Sequence, residues 1–516
     1  MTASRTSKTL QNARVGALCY LLSLFVSFFS RRIFLDQLGA EFLGYTSSVG
    51  SFLNFLNIAE LGISGAVTIA FYKPLFDDNR EQINELVSIL GYLYRWVGFF
   101  IGVCGIILSF FLPLLFPSVS FPLSIVYFGY YSFLIATLLG YFANYHSVLL
   151  AADQRNYEVI GYYQVAYTLK VIIQWIVTIY LSSFFLFLLL ELVFGIVYSL
   201  LLHWRVRNTY PWLSSHISAG KELLWCYPQV VTKVRQSVAH CLGGFVQTQS
   251  LPLFIYYFVS LPTVALYGNY LLVSGSLRTC LRTALSSMNG GIGSLISEGD
   301  LSRIIAVYWE VLSLHFVCAG VVTGCFYHLL PDFISLWLGP EYLLPPIISV
   351  LVSLHLFLLI LRLATDDFLF GFGLIQDIWS PVVESVVFIT ASSVLGHVYG
   401  LPGVLSGPLL SLLLVIHLWK PFFLFTRGFH LPVTQYFIRS LYYFIILAAS
   451  FAFTEFFFYY LSSLFNQPCN TWLIWLGMSI QYFVVFSVLT IGVYWICFPE
   501  FRSLVRRLIS VIRCNS

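Results

Sequence analysis

Long apolar runs dominate this sequence, and most of its charge lies in the short segments between them. Only 9% of the 516 residues are Asp, Glu, Lys or Arg, whereas 59% are hydrophobic. A soluble domain normally carries about a quarter charged residues, and no globular core accommodates this much apolar surface. The chain is therefore predicted to be an all-α polytopic membrane protein whose apolar faces contact lipid.

Fourteen of the apolar runs approach the ~20 residues that a helix needs to cross the hydrocarbon core. They lie near residues 14–34, 42–70, 84–112, 122–150, 157–181, 183–203, 236–259, 263–289, 303–329, 346–372, 378–398, 403–424, 438–463 and 472–497. The predicted segments are an N-terminal six-helix lobe (1–207), a cytoplasmic linker (208–235), a second six-helix lobe (236–427), helices 13 and 14 (428–499) and a basic cytoplasmic tail (500–516).

The basic residues show which side of the membrane each connection faces. With fourteen helices, the connections on the side of the N-terminus carry nearly all the Lys and Arg outside the apolar runs. The opposite connections carry none except Arg31 and Arg32 at the end of the first helix. Cytoplasmic loops are enriched in Lys and Arg. The pattern therefore predicts a multi-pass membrane protein with both termini in the cytoplasm.

Other sequence signals argue against catalysis. The ten cysteines are scattered and form no C-x-x-C pair, which indicates neither a disulfide framework nor a metal site. No Walker lysine motif, nucleophile elbow or H-E-x-x-H is present. We therefore expect no metal, no catalytic residues and no nucleic-acid partner.

The eighth predicted helix carries the clearest candidate site. Ser274, Arg278, Arg282 and Ser286 recur every four residues and so share one stripe of the helix. Two guanidinium groups one turn apart need an anion between them, and their forks fit the oxygens of a diphosphate. The alternatives are pairing with acids from other helices, such as Glu60 or Glu310, or extension of Arg282 to the inner surface.

Three further basic residues are candidates for a charged cavity. Lys170 shares its stripe with Tyr163 and Gln174, which predicts either an interhelical bond or a cavity role. Arg31 and Arg32 are predicted to anchor to outer headgroups or to line the outer mouth of a cavity.

Two acids are candidates for ion coupling. Glu60 lies with Asn57 on one side of the second predicted helix, a polar patch able to hold a proton or a small cation. Asp366 follows Arg362 by one turn and is predicted to neutralise it. Asp367 then lacks a partner on its own helix, so it is either an ion-coupling residue or paired with a neighbouring helix.

Four segments resemble one family. The stretches 34–44, 55–64 and 72–75 (FLDQLGAEFLG, FLNIAELGIS and YKPL) resemble the N-terminal region of bacterial polysaccharide flippases. These are the Wzx-like branch of the multidrug/oligosaccharidyl-lipid/polysaccharide exporters. The segment 331–339 (PDFISLWLG) is similar to the family segment that follows helix nine.

This resemblance implies two six-helix lobes in a V, two appended C-terminal helices and alternating access. The implied substrate is an undecaprenyl-diphosphate oligosaccharide, moved to the outer leaflet of the bacterial cytoplasmic (inner) membrane for O-antigen or capsule synthesis. Basic cavity residues on the family's helices one and eight would correspond to Arg31, Arg32, Arg278 and Arg282. Coupling to protons or sodium, and partnership with a polysaccharide polymerase and a chain-length regulator, are further implications.

Two alternatives remain open at this stage. A multidrug antiporter of the same superfamily would need cavity carboxylates for its cationic substrates. A membrane glycan polymerase or ligase would need a sizeable outer loop, and the longest outward connection predicted here is only about residues 330–345.

Overall fold

The computed structural model describes residues 5–515 except 61–62, 118, 154, 375–376, 378, 466–470 and most of 229–248 and 286–297. Of this part of the chain, 89% is helical and none forms a strand. Eleven of the described helices are long and apolar enough to cross a membrane. The prediction of an all-α polytopic membrane fold is therefore confirmed.

The chain divides into two compact units, Met1–Ala265 and Leu266–Ser516. The helices of the first unit are α1 (Arg5–Leu56), α2 (Ile63–Phe76), α3 (Arg80–Ser109), α4 (Leu112–Leu115), α5 (Leu123–Phe142), α6 (Ser147–Ala152), α7 (Asn156–Leu181), α8 (Phe184–Thr209), α9 (Gly220–Cys226), residues 249–258 and the start of α10 (Leu261–Leu285). Within this unit α7 packs against α1 and α8, and α5 packs against α3 and α8.

Besides the rest of α10, the described residues of the second unit form further helices. These are α11 (Leu301–Trp337), α12 (Pro346–Gly371), α13 (Trp379–Tyr399), α14 (Leu401–Ser411), α15 (Leu418–Phe423), α16 (Thr434–Phe465), α17 (Trp472–Cys497) and α18 (Pro499–Asn515). A π-helical segment, Leu412–His417, connects α14 to α15, and a second, Leu424–Phe429, follows α15. Together they form one apolar span, Leu401–Phe429. The long helix α11 is largely buried and packs against α12, α16, α17 and α18.

The first two predicted helices meet at a glycine within α1, where the backbone leaves the helical conformation. Gly39 has φ 82° and ψ 159°, a conformation that glycine adopts without the steric penalty of a β-carbon. A 3₁₀ turn, Asn57–Glu60, ends α1 and separates it from α2. This turn interrupts the second predicted helix and places Glu60 at a break in the backbone.

Side-chain caps fix the start of two long helices, α3 and α11. The Asn79 side chain accepts a hydrogen bond from the Gln82 N–H at the start of α3, and Asp300 accepts from the Arg303 N–H at the start of α11. Such caps satisfy backbone donors that have no partner within the helix. The predicted lobe and linker boundaries at 207, 235 and 427 remain predictions.

Candidate functional site

A cavity of about 460 Å³ lies inside the first unit, among α3, α5, α7, α8 and the 3₁₀ turn after α1. Its wall combines charged, amide, hydroxyl and aromatic side chains, a composition that favours water over lipid. The lining residues are Asn57, Glu60, Tyr94, Ala136, Thr137, Gly140, Tyr141, Asn144, Ser147, Tyr163, Ala166, Tyr167, Lys170, Glu191, Phe194, Gly195, Tyr198 and Ser199.

An ion pair occupies one wall of this cavity. The Lys170 Nζ lies 2.8 Å and 3.0 Å from the two carboxylate oxygens of Glu191. The Gln174 amide donates to Glu191 at 3.0 Å and to the Phe187 carbonyl at 3.2 Å. The side chains of Lys170 and Glu191 are only 14% and 19% exposed. The predicted stripe of Lys170, Tyr163 and Gln174 thus meets an acid on α8, and the charge of Lys170 is compensated inside the unit.

A second carboxylate on the cavity wall has no cation beside it. Glu60 accepts hydrogen bonds from the hydroxyls of Tyr94 at 2.6 Å and Tyr141 at 3.1 Å. It makes no salt bridge among the described residues. Two hydroxyl donors stabilise the carboxylate and add no positive charge, so this side chain is suited to bind a small cation. Its assignment to ion coupling stays a prediction.

Three tyrosines form an aromatic surface at the same cavity. The rings of Tyr163 and Tyr167 lie 6.1 Å apart and nearly parallel, and the ring of Tyr198 meets Tyr163 edge-on at 5.5 Å. The Lys170 ammonium lies 5.1 Å from the centre of the Tyr167 ring. Phenolic hydroxyls and ring faces together suit a ligand with both polar and apolar surfaces.

The two arginines of α10 differ in their surroundings. Arg278 is half-buried and lies within electrostatic range of Arg282, Arg362 and Asp366. It forms no hydrogen bond or salt bridge within the part of the chain that the structure describes. Arg282 is exposed and likewise has no such partner there. Ser286, the last residue of the predicted stripe, lies outside the described residues.

A charge network on α12 and α13 lies near Arg278. The Arg362 Nε is 2.8 Å from Asp366, as the one-turn spacing predicts, and its Nη1 is 3.9 Å from the buried Glu384. Arg362 therefore lies beside two acids, whereas Arg278 has Asp366 within electrostatic range and no salt bridge among the described residues. Asp367, the predicted coupling residue, is half-buried beside Asp366.

The predicted pair on the first helix also divides into two environments. Arg31 is half-buried, and its guanidinium donates a 2.5 Å hydrogen bond to the Ala265 carbonyl. Arg32 lies 3.7 Å from Asp36, and both side chains are about half exposed. An exposed ion pair contributes little stability, so Arg32 remains available for an anionic ligand or headgroup.

The acids suggested as partners for the α10 arginines bind other groups. Glu60 is hydrogen-bonded within the first unit, and the buried Glu310 forms an ion pair with Arg507 of α18. The sequence does not predict Glu191 as the partner of Lys170 or Arg507 as the partner of Glu310. The i, i+4 rule relates residues on one helix only, so it gives no signal for pairs between helices.

An apolar cavity of about 320 Å³ lies in the second unit among α11, α12, α16 and α17. Phenylalanine and leucine side chains make up much of its wall, with small residues such as Gly320 and Gly324 on α11. Its chemistry suits a hydrocarbon chain and excludes a charged group.

No protein-family model matches the chain, and no curated protein matches it. Solved structures do share its fold. The inward closed conformation of the lipid II flippase MurJ aligns with a TM-score of 0.61 and 13% identity, over 92% of this chain and 97% of that one. An inward-facing multidrug resistance MATE family transporter of the MOP superfamily aligns with a TM-score of 0.58 and 14% identity, over 78% and 93%. A MATE structure in the bent conformation aligns at 0.50 and 14%, over 82% and 95%.

The fold and its interior charges thus define a polytopic helical membrane protein built like these transporters. At such low identity the similarity establishes the fold that the chain shares with the flippase and the multidrug transporters. The substrate has to be argued from the side chains.

Proposed function

We propose that this protein is a flippase for undecaprenyl-diphosphate-linked oligosaccharides. It moves repeat units from the inner to the outer leaflet of the bacterial cytoplasmic membrane by alternating access, for surface polysaccharide synthesis. The observation that carries the proposal is Arg278, a half-buried guanidinium without a salt bridge among the described residues.

The cost of such a charge favours a functional role. Placing an arginine in a membrane helix costs about 3 kcal/mol on insertion scales, and proteins usually recover this by pairing it with an acid. The nearby acids Asp366 and Glu384 already lie beside Arg362. Arg278 itself makes no salt bridge among the described residues, so its guanidinium donors are open to an incoming anion, and a diphosphate offers the oxygens that a guanidinium binds in pairs.

The other parts of the substrate also match features of the chain. Arg282, one turn from Arg278 on α10, is exposed and able to contribute further positive charge to a diphosphate, and Arg32 of the first unit is exposed and able to bind an anionic headgroup. The polyprenyl tail stays in hydrocarbon, and the 320 Å³ apolar cavity offers a protein-lined space of the same chemistry. The tyrosine surface in the first unit supplies ring faces and hydroxyls suited to sugars. The paired Lys170 is a weaker ligand candidate than Arg278, because a diphosphate would have to displace Glu191.

Energy for the cycle is proposed to come from a proton or sodium ion. Glu60 is the first candidate for the coupling group, because its carboxylate faces a polar cavity and has only tyrosine hydroxyls as hydrogen-bond donors. Asp367 is the second candidate. A protonation change at Glu60 alters its hydrogen bonds to α3 and α5, which is a direct route from an ion to helix packing.

The same carboxylate supports a second candidate function, a cation-coupled multidrug antiporter. Cationic drugs seek buried carboxylates and aromatic rings, and the Glu60 cavity contains both. The sign of the charge that recognises the substrate separates the two proposals: Arg278 for a diphosphate lipid, Glu60 for a cationic drug.

A proteoliposome assay with a fluorescent polyprenyl-diphosphate oligosaccharide tests the proposal. We expect Arg278→Ala to lower the flipping rate by about tenfold or more, since a charge-assisted hydrogen bond contributes about 1.5–3 kcal/mol. Arg282→Ala should give a smaller loss. Arg95→Ala is the matched control, because Arg95 is an exposed arginine on α3 and is not assigned to the diphosphate.

Three outcomes would contradict the flippase. Equal loss of folded protein in all three variants would show that the arginines stabilise the fold and would leave no evidence that they bind the diphosphate. Flipping of cationic dyes that depends on Glu60 and not on Arg278 would favour the antiporter. A change in glycan length during the assay would indicate a polymerase or ligase.

A further inference from the structure

The chain ends in a basic amphipathic helix that is docked on the second unit. Helix α18, Pro499–Asn515, begins two residues after α17 ends at Cys497. Its sequence carries arginines at 502, 506, 507 and 513. Phe501 and Leu504, one turn apart, are 3% and 7% exposed. The apolar side chains in the first turns of the helix are thus already covered by the protein.

Polar contacts hold α18 in this position. Arg502 donates to the Trp495 and Ile496 carbonyls at 3.1 Å and 3.0 Å, which caps the end of α17. On the adjacent helix, the Tyr443 hydroxyl donates to Glu500 at 2.5 Å. These bonds fix the orientation of α18 against the last membrane helix.

The central contact of this docked helix is a buried carboxylate on α11. Glu310 is 6% exposed, accepts a 2.8 Å hydrogen bond from the Ser503 hydroxyl and is ion-paired with Arg507. A carboxylate this buried is strongly destabilising without a cation. The position of α18 is therefore linked to the charge of α11, the most buried membrane helix of the second unit.

Docking leaves a positively charged outer surface. Arg506 is exposed and has no hydrogen bond or salt bridge to any described residue. Arg507 keeps 47% of its side chain exposed although it pairs with Glu310. Arg439 of α16, also 47% exposed, lies 4.0 Å from Glu500 and 4.4 Å from the centre of the Trp309 ring.

We propose that this surface, formed by Arg506, Arg507 and Arg439, binds the headgroups of anionic phospholipids. The surface follows the last membrane helix directly, which places it at the level of the headgroups. On the topology that the charge pattern predicts, it faces the cytoplasmic leaflet, where basic residues next to a membrane helix bind anionic lipid. Arg507 then joins a lipid phosphate on one side to Glu310 on the other, and anionic lipid stabilises the docked position of α18. This site is independent of the transported substrate.

Hydrogen–deuterium exchange of the full-length protein in nanodiscs tests the site. The protein is compared in phosphatidylcholine alone and in phosphatidylcholine with phosphatidylglycerol. We expect phosphatidylglycerol to slow exchange of the α18 backbone amides. Each arginine removed should lower this protection factor by about fivefold. Arg506→Gln should lose part of the protection. Arg303→Gln should keep it, because Arg303 is an exposed arginine in the first turn of α11, paired with Glu298 instead.

A second variant tests Arg507, whose charge balances the buried Glu310. Arg507→Gln alone leaves the Glu310 carboxylate buried without its cation, so it is made together with Glu310→Gln. This double variant should fold and should show a reduced response to phosphatidylglycerol. Equal exchange of α18 in both lipid mixtures, or an undiminished response in Arg506→Gln, would overturn the proposal. Protection by a soluble polyglutamate peptide and not by phosphatidylglycerol would overturn it in favour of an acidic protein partner.

Discussion

The ion pair in the cavity of the first unit offers a quantitative test of the fold. The Glu191 carboxylate lies 2.8 Å from the Lys170 Nζ and accepts a 3.0 Å hydrogen bond from the Gln174 amide. Replacing Glu191 by Gln keeps the size of the side chain but leaves the Lys170 charge without its counter-ion in an interior that excludes most solvent. Replacing Lys170 by Met leaves the opposite charge uncompensated.

The exposure of the pair sets the size of the effect. Breaking a fully buried ion pair by removing one partner costs about 3–5 kcal/mol. The side chains of Lys170 and Glu191 are 14% and 19% exposed and contact a polar cavity, so we expect the lower end, about 3 kcal/mol for each single variant. The double variant Lys170→Met/Glu191→Gln removes both charges and should cost less than the sum of the singles by about 2 kcal/mol or more.

The free energy of unfolding, measured by denaturant titration in one detergent with tryptophan fluorescence, gives all four corners of this cycle. Arg95→Met is the control for the loss of an exposed positive charge. Single variants that cost less than about 1 kcal/mol each, with an additive double variant, would show that water already solvates the two charges. That result would refute the description of Lys170 as structurally paired.

Three further predictions concern other parts of the chain. Gly403→Ala places a β-carbon against the Leu395 carbonyl oxygen and should lower the free energy of unfolding, measured by denaturant titration, by about 3 kcal/mol. Gly477 is a helical glycine with open space around it, so Gly477→Ala is the control and should leave this free energy unchanged or raise it. Asn79→Ala removes the cap of α3 and should cost about 1 kcal/mol by denaturant titration. Glu60→Gln should abolish the response of the transport rate to an imposed proton or sodium gradient, and a full response would remove Glu60 from coupling.

Hydrophobic run length predicts the helices well because a membrane span needs a nearly fixed number of apolar residues. The predicted runs 157–181 and 472–497 correspond closely to α7 and α17. Run length does not show how consecutive spans are joined. The kink at Gly39 depends on a non-helical glycine backbone within α1, and the break at Glu60 depends on a local 3₁₀ turn.

The candidate site is predictable within a helix and not between helices. The pairing of Arg362 with Asp366 follows from spacing alone, because residues four apart share one face. The partners of Lys170 and Glu310 lie on other helices, and only the packing of α7 on α8 and of α18 on α11 brings them together. A single sequence carries no record of that packing.

The distinction between compensated and uncompensated charge also separates structural from functional residues. A paired charge such as Lys170 has to lose its partner before it binds a ligand, so its recruitment costs free energy that the substrate must supply. A charge without a salt bridge, such as Arg278, is relieved by the same binding event. Substitution at Lys170 should therefore lower the amount of folded protein more than the transport rate per molecule, whereas substitution at Arg278 should do the reverse. Comparison of the two ratios for matched Met variants tests the functional assignment without knowledge of the sugar that is carried.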